Sequence, residues 1–248
     1  MQKQQIRKGF SRLNKEQKID LTASYFEDPV TAARELKSFW HNDPEIQKKL
    51  DEFAENTISN FYFPYGIAPN FVINGNMYLV PMVIEESSVV AAASNAAKFW
   101  AEKGGFHAEV VSTTKIGQVH FVWEGNKDKL RAAMPEIREK LISETNHITA
   151  NMRKRGGGIL DIALVDMTDK MDHYFQLKAS FNTVDSMGAN FINSCLEEFG
   201  LLLKRFLKED EQFIGKEKDC DIVMAILSNY TPECLVRTWV ECDIADFE

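Results

Sequence analysis

The chain has 248 residues, of which 44% are hydrophobic and 27% are charged. These proportions are typical of a soluble globular protein, and the length allows one large domain or two modest ones. The formal net charge of −8 argues against a nucleic acid or an anionic membrane surface as the main partner, since both carry negative charge.

Residues 1–18, MQKQQIRKGFSRLNKEQK, are basic and polar and contain no apolar core of a secretory signal. The uncharged stretch 56–84 contains Asn, Gly and Pro, which favour strands and loops over a membrane span. The four cysteines lie late in the chain without a CxxC pair, and the five histidines are scattered. We therefore expect a cytoplasmic protein with neither a disulfide framework nor a metal site.

The first third of the chain predicts helices followed by a β-hairpin. DPEIQKKLDEFAEN starts with Asp43 as a helix cap and Pro44 at the first helical position. NFVINGNMYLVPMVI places Asn74-Gly75 between two apolar runs, which is a hairpin signal. The segment 87–103 predicts a helix that ends at Gly104-Gly105.

From residue 117 the predicted order is strand, helix, strand, strand, helix, strand. The strands are GQVHFVWE, GILDIALVDM, DHYFQLKASFN and CDIVMAILSN. The helices are KDKLRAAMPEIREKLISETNHITANM, interrupted or bent near Pro135, and SMGANFINSCLEEFGLLLKRFLKE. This βαββαβ order is that of the ferredoxin-like fold, in which two helices cover one face of a four-stranded sheet.

We therefore predict an α+β protein with a small ferredoxin-like domain at residues 112–228. It is inserted into a larger domain of helices and strands, formed by residues 1–111 and by the returning tail, residues 229–248. The tail, YTPECLVRTWVECDIADFE, predicts one further strand and no closing helix. The larger domain is therefore predicted to be incomplete.

Two adjacent glutamates, Glu85 and Glu86, stand between an apolar run and the alanine-rich helix. In one interpretation, Ser87 or Ser88 caps this helix and the acids stabilise its N-terminus. In the other, one carboxyl group is half-desolvated so that it can donate a proton near neutral pH. The residues alone leave both interpretations open.

Two glycine-containing stretches have the composition of anion sites. In VDSMGANFINS, residues 184–194, a helix is predicted to begin at Asp185 or Ser186, with Gly188 leaving its first turn bare. In ANMRKRGGGILD, residues 150–161, three cations precede three glycines. The structural alternatives are a capped helix packed on its sheet and a helix C-terminus with a glycine stop. Each stretch alone favours its structural alternative.

In combination, several stretches resemble bacterial class II 3-hydroxy-3-methylglutaryl-coenzyme A (HMG-CoA) reductase. They are ENTISNFYFPYGIAPNFVINGNMYLVPMVIEESSVVAAASNAAKF, GGF, RGGGILDI, DSMGANFINS and ILSN. The resemblance implies an NAD(P)H-dependent oxidoreductase, a homodimer that interconverts HMG-CoA and mevalonate plus coenzyme A by two hydride transfers. It also implies a ferredoxin-like cofactor domain inserted in a larger substrate domain, which agrees with the predicted fold.

The resemblance also implies roles for individual residues. Glu86 matches the family's catalytic acid, which protonates or polarises the substrate oxygen and needs a pKa raised by burial. Ser88 and Asn229 match residues at the substrate. The DSMGAN motif matches the family's dinucleotide-binding motif, and its matching residues are Asp185, Met187, Gly188, Ala189 and Asn190.

The coenzyme is expected to be NADPH or NADH. Thr149 falls where NADH-preferring members carry an acidic residue for the adenosine ribose. Without that carboxylate, and with Arg153 among the nearby cations, a 2′-phosphate is better tolerated. We therefore expect NADPH to bind at least as well as NADH.

Of the family's four catalytic groups, only Glu86 has a counterpart in these 248 residues; the lysine, aspartate and histidine have none. We therefore expect the chain to be the N-terminal part of a longer reductase and to show no turnover by itself. The alternative is a non-catalytic acyl-CoA- or nucleotide-binding protein on the same scaffold.

Overall fold

The computed structural model describes residues 8–247, which divide into two compact units. The first unit is formed by the residues before Phe106 together with those from Cys242 onward, and the second is Phe106–Glu241. Each unit contains helices and antiparallel strands, which confirms the predicted α+β class. Over the described range, no helix is both long and apolar enough to cross a membrane.

The first unit begins with three helices, α1 (Lys15–Ala23), α2 (Pro29–Ser38) and α3 (Pro44–Asp51). Both α2 and α3 start at a proline that follows an aspartate cap. The Asp43 carboxylate accepts hydrogen bonds from the backbone N–H groups of the first turn of α3, as its sequence predicted.

The predicted hairpin is present as β1 (Tyr65–Ile73) and β2 (Asn76–Val83). Asn74 and Gly75 both have positive φ, +50° and +80°, as a two-residue hairpin turn requires. Helix α4 (Val89–Ala101) packs against β1.

The second unit contains a sheet with helices on one face. Its elements are β3 (His107–Val122), α5 (Lys127–Glu144), α6 (Asn146–Lys154), β4 (Gly158–Asp166), β5 (Tyr174–Asn182), α7 (Ala189–Glu209), β6 (Asp221–Leu227) and β7 (Cys234–Trp239). The sheet has the order β4-β5-β3-β6, and every neighbouring pair is antiparallel. Strand β7 pairs with the first half of β3.

The core of the second unit lies between this sheet and the helices. Alternate residues of β5 are buried, and α7 buries an apolar stripe against β3 and β6. The buried members of that stripe are Ile192, Cys195, Leu196, Phe199, Leu202, Leu203, Phe206 and Leu207. This packing fixes α7 on the sheet, and α7 in turn positions the loop before it.

The boundaries of the second unit differ from the predicted 112–228. Strand β3 begins at His107, well before the predicted strand, and its early residues pair with β7. The tail was predicted to return to the first domain from residue 229, but it does so only from Cys242. There, Lys103 binds Asp246 at 2.5 Å.

The predicted long helix after β3 is interrupted at Thr145, between α5 and α6, and not at Pro135. Pro135 lies inside α5 at an exposed position. The Thr145 hydroxyl donates to the Leu141 carbonyl at 2.7 Å, so the side chain satisfies a backbone acceptor where α5 ends. The break therefore falls at the threonine.

Two glycines at the contact between α7 and the sheet provide a matched stability test. A Cβ on Gly117 would lie 2.5 Å from Leu196 Cδ1, whereas one on Gly200 would lie at an ordinary 3.5 Å from Ile222. We expect Gly117→Ala to lower the free energy of unfolding by about 1–3 kcal/mol through overpacking. Gly200→Ala should raise it by up to about 1 kcal/mol, because alanine favours a helix over glycine. Urea denaturation measures both, and equal losses in the two variants would contradict this packing.

Candidate functional site

The loop between β2 and α4 carries Glu86 and Ser88. Ser88 occupies the position before α4 with a φ of +69°, and its hydroxyl makes no capping hydrogen bond. The interpretation in which Ser88 caps the helix is therefore wrong. A left-handed φ at a non-glycine residue is uncommon and costs on the order of 1 kcal/mol or more. Helix capping does not explain this strain.

Glu86 lies on the surface of the first unit. Glu85, Glu86, Ser87 and Ser88 are all exposed, and no described residue of this unit covers the Glu86 carboxylate. The expectation of a half-desolvated acid is therefore wrong for the chain as it is described. Ile84, the first residue after β2, is half-buried, whereas the four polar residues that follow it, 85–88, are exposed.

The loop between β5 and α7 is held by a reciprocal pair of hydrogen bonds. The buried Thr183 donates its hydroxyl to the Ser186 carbonyl at 2.6 Å, and Ser186 donates its own to the Thr183 carbonyl at 2.8 Å. Asp185 and Met187, which flank Ser186, are exposed. Asp185 and Met187, two residues of the predicted dinucleotide-binding motif, are therefore exposed on a turn that these hydrogen bonds close.

Gly188 is required by this turn. Its φ is +74°, and a Cβ there would lie 2.7 Å from the Thr183 Cβ and closer still to the Thr183 methyl group. Helix α7 therefore starts at Ala189 and not at the predicted Asp185 or Ser186. The neighbouring Val184 also has a positive φ, +55°, which is strained for a β-branched residue.

The start of α7 has the properties of an anion-binding group. Within the described structure, no side chain caps this 21-residue helix. Its first-turn N–H groups, from Ala189 to Phe191, have no intrahelical acceptor, and the helix dipole adds partial positive charge there. Such a helix start is suited to a phosphate or pyrophosphate group.

Glycines bring the cationic end of α6 close to the end of β5. Gly156 has open space around it and a φ of +89°, as in an ordinary helix stop. Gly157 differs, because a Cβ there would collide with the Asn182 carbonyl oxygen. The glycine run therefore ends a helix and also permits a close backbone approach.

A cavity of about 310 Å³ lies between α6 and the first turns of α7, and we call it the α6–α7 groove. Its lining residues are Ile148, Asn151, Met152, Arg155, Asn190, Phe191 and Ser194. The structure therefore places the predicted Asn190 in the same groove as a cation of α6. The sequence prediction named the three cations 153–155 as candidates and selected Arg153 among them. The helical spacing of Arg155 from Ile148 and Asn151 is the signal that favours Arg155 for this groove.

The other two predicted coenzyme residues of α6 do not line the groove. Thr149 is only 3% exposed, and its hydroxyl lies 3.4 Å from the Asn146 carbonyl oxygen. Arg153 is exposed, and its stem lies beside Gly158, where a Cβ would be 3.2 Å from its Cγ. Arg153 and Arg155 are both exposed, and of the two only Arg155 lines the groove.

Asn229 lies in an exposed turn after β6. The preceding Ser228 is anchored to the sheet, because its N–H donates to the Ile116 carbonyl at 2.8 Å. Asn229 belongs to the second unit, as the groove does, whereas Glu86 and Ser88 belong to the first.

Burial raises the pKa of the Cys195 and Cys220 thiols to about 12. Both therefore stay protonated at neutral pH and are poor nucleophiles. Burial also lowers the pKa of His120, whose Nδ1 lies 2.6 Å from the Tyr174 hydroxyl. Among residues 8–247, no group of three or more His, Cys, Asp or Glu side chains is arranged to hold a metal ion.

Comparison with known proteins identifies the family. The family model described as hydroxymethylglutaryl-coenzyme A reductase matches residues 18–247. The chain is 35% identical over 197 residues to 3-hydroxy-3-methylglutaryl-coenzyme A reductase of Archaeoglobus fulgidus, a match that covers 79% of this chain and 44% of that protein. It is 30% identical over 193 residues to the probable reductase of Borreliella burgdorferi, covering 78% and 41% of the two chains.

A solved structure supports the same relationship. The class II 3-hydroxy-3-methylglutaryl-CoA reductase from Streptococcus pneumoniae, bound to NADPH in open conformations, matches with a TM-score of 0.64 and 29% identity. The match covers 93% of this chain and 58% of that chain.

These matches place the chain in a class of α+β proteins whose matched relatives are named as reductases. It belongs to the hydroxymethylglutaryl-coenzyme A reductase family, which confirms the resemblance seen in the sequence. The chain spans less than half the length of the two curated relatives.

The Gly188 turn can be tested by comparison with another glycine of positive φ. We expect Gly188→Ala to lower the free energy of unfolding by roughly 2–4 kcal/mol, because backbone strain adds to the clash with Thr183. Gly156→Ala should cost only about 1 kcal/mol, because its surroundings are open and only the strain applies. Thermal or urea unfolding measures the difference. If Gly156→Ala and Gly188→Ala lowered the free energy of unfolding equally, the proposed clash between residue 188 and Thr183 would be contradicted.

Proposed function

We propose that this chain acts in an NAD(P)H-dependent HMG-CoA reductase, which interconverts HMG-CoA and mevalonate plus coenzyme A by two hydride transfers. The observation that carries the proposal is the α6–α7 groove, where the uncapped start of α7 and Arg155 face the same cavity. The family membership supports it, as does the NADPH-bound S. pneumoniae structure, which matches nearly all of this chain.

The second unit is proposed to be the family's ferredoxin-like cofactor domain, inserted in a larger substrate domain. Its strand order β4-β5-β3-β6, with helices between β3 and β4 and between β5 and β6, supports this proposal. In this interpretation β7 is an addition to the ferredoxin-like core, because it pairs only with the early part of β3 among the described strands.

The residues of this unit fit a dinucleotide phosphate. The first-turn N–H groups of α7 would bind the pyrophosphate, and the bare backbone at Gly188 allows its close approach. Arg155, with Arg153 beside it, would pair with a 2′-phosphate. Exposed Asp185 and Met187 would contact the coenzyme from the tip of the loop. The nicotinamide ring supplies the hydride when the coenzyme is bound.

Glu86 is proposed to be the proton donor to the substrate oxygen that becomes a hydroxyl group. A donor of this kind works best with a pKa near the working pH, and removal of water from around the carboxyl group raises its pKa. Because the described residues leave Glu86 exposed, we assign this removal of water to the bound substrate or a partner subunit. Ser88 and Asn229 are proposed to bind the substrate.

A homodimer is proposed on the basis of exposed apolar side chains in the first unit. These lie on the hairpin and on the segment before it, and they are Phe61, Tyr62, Phe63, Tyr65, Met77, Tyr78 and Leu79. Large apolar side chains exposed in this number are typically covered by another protein surface. A second copy of the chain, which would remove this surface from water, is the proposed partner.

The role of Glu86 can be tested against its neighbour. In the full-length protein, Glu86→Gln should slow hydride transfer roughly 10²–10⁴-fold, because it removes the proton but little volume. NADPH affinity should stay the same. Glu85→Gln, the matched control, should leave the rate of hydride transfer within about twofold of the wild-type rate, because Glu85 is an exposed acid that takes no part in the proposed reaction. Single-turnover absorbance at 340 nm measures the rate, and equal rates for the two variants would remove Glu86 from the mechanism.

Coenzyme choice can be tested at the cationic end of α6. We expect wild-type protein to bind NADPH at least as well as NADH. Arg155→Ala should weaken NADPH binding roughly 10–100-fold and NADH binding much less, which is the scale of a charge-assisted pair with a phosphate. Lys154→Ala is the matched control, because this cation does not line the groove.

Fluorescence titration of both coenzymes against the three proteins gives these affinities. The same titration with Arg153→Ala shows whether Arg153 shares the phosphate. A clear preference of wild-type protein for NADH, or equal losses for both coenzymes in Arg155→Ala, would contradict the proposed 2′-phosphate contact.

A further inference from the structure

Asn193 connects α7 to the end of β6. Its side-chain Oδ1 accepts a hydrogen bond of 2.8 Å from the backbone N–H of Leu227, which is 34 residues away in sequence. Leu227 is the last residue of β6, and in the described sheet β6 lies at one edge with β3 as its only partner strand. The N–H of Leu227 therefore finds its acceptor in a helix side chain rather than in another strand.

The turn that contains Asn229 begins directly after this bond. Ser228 donates its N–H to Ile116 of β3 at 2.8 Å. Its hydroxyl accepts from the Tyr230 N–H at 3.1 Å and donates to the Tyr230 carbonyl at 3.0 Å. Asn229 thus lies between two residues that are fixed to each other, and the bond from α7 to Leu227 anchors the turn on its other side.

The same end of α7 begins at the proposed coenzyme loop. Asn193 lies one helical turn after Ala189 and Asn190, so the three residues share one rigid segment. A displacement of this segment would therefore move the coenzyme groove and the Asn229 turn together. Without the Asn193 amide, the turn would lose its hydrogen bond to α7 and would keep those of Ser228 to Ile116 and to Tyr230.

We infer that Asn193 is a positioning residue, which sets the location of Asn229 relative to the coenzyme loop. The inference rests on the function proposed above, in which Asn229 binds the substrate. Asn193 itself touches neither ligand in this scheme. Its importance follows from the sensitivity of hydride transfer to alignment, since a displacement near 1 Å can lower a rate on the order of 100-fold.

The experiment compares Asn193→Leu with Asn193→Asp in the full-length protein. Leucine removes the acceptor, whereas aspartate keeps an oxygen that can accept from Leu227. We expect Asn193→Leu to lower kcat about tenfold or more with the KM for NADPH within twofold, and Asn193→Asp to restore most of the rate. Ile222→Val, a conservative core change on β6, controls for simple loss of stability.

Two outcomes would overturn the inference. One is an unchanged kcat in Asn193→Leu. The other is an equal loss of kcat in Asn193→Leu and Ile222→Val when the two variants have the same melting temperature.

Amide hydrogen exchange separates this inference from the proposed function. If Asn193 anchors the turn, exchange at Leu227 should speed up at least tenfold in Asn193→Leu and stay near the wild-type rate in Asn193→Asp, as for an amide that has lost its acceptor. Unchanged exchange at Leu227 would contradict the anchoring. In contrast, full activity in Asn229→Ala would show that the substrate role of Asn229 is wrong, even if the exchange result holds.

Discussion

The packing of α7 on the sheet of the second unit determines where the proposed pyrophosphate-binding groups lie. The helix buries an apolar stripe against β3 and β6, and Gly117 allows it to approach the sheet closely. This burial removes several large side chains from water and provides the dominant stabilisation of the unit. Because the helix is rigid, its N-terminus is held at the end of β5 and its Asn193 side chain is held beside Leu227.

Much of the second unit could be predicted because its local signals agree with its packing. The alternation of β5 and the long apolar stripe of α7 have the periods of a half-buried strand and an amphipathic helix. The Asn74-Gly75 turn was likewise predictable, because both residues tolerate positive φ. Where propensity, turn chemistry and burial pattern coincide, a single sequence is sufficient.

The start of α7 could not be predicted, because it depends on contacts that are specific to this loop. The pattern DSMGAN favoured a helix start at Asp185 or Ser186, but the reciprocal bonds of Thr183 and Ser186 form a closed turn first. The burial of Thr149 could not be predicted from the sequence either. Its matching position in the family suggested a ribose contact, whereas the amphipathic face of α6 buries its side chain and leaves Arg155 in the groove. Glu86 is exposed in the first unit as described, so its proposed desolvation needs groups from outside that unit.

The central claim is that the α6–α7 groove binds the phosphates of NADPH, and amide chemical-shift mapping of the second unit tests it most directly. On addition of NADPH, the largest shifts should fall in residues 188–191, at the start of α7, and in residues 151–156, at the end of α6. NADH should shift the first group as strongly and the second group less, because it lacks the 2′-phosphate. Shifts confined to other surfaces of the unit, or none at saturating NADPH, would contradict the claim.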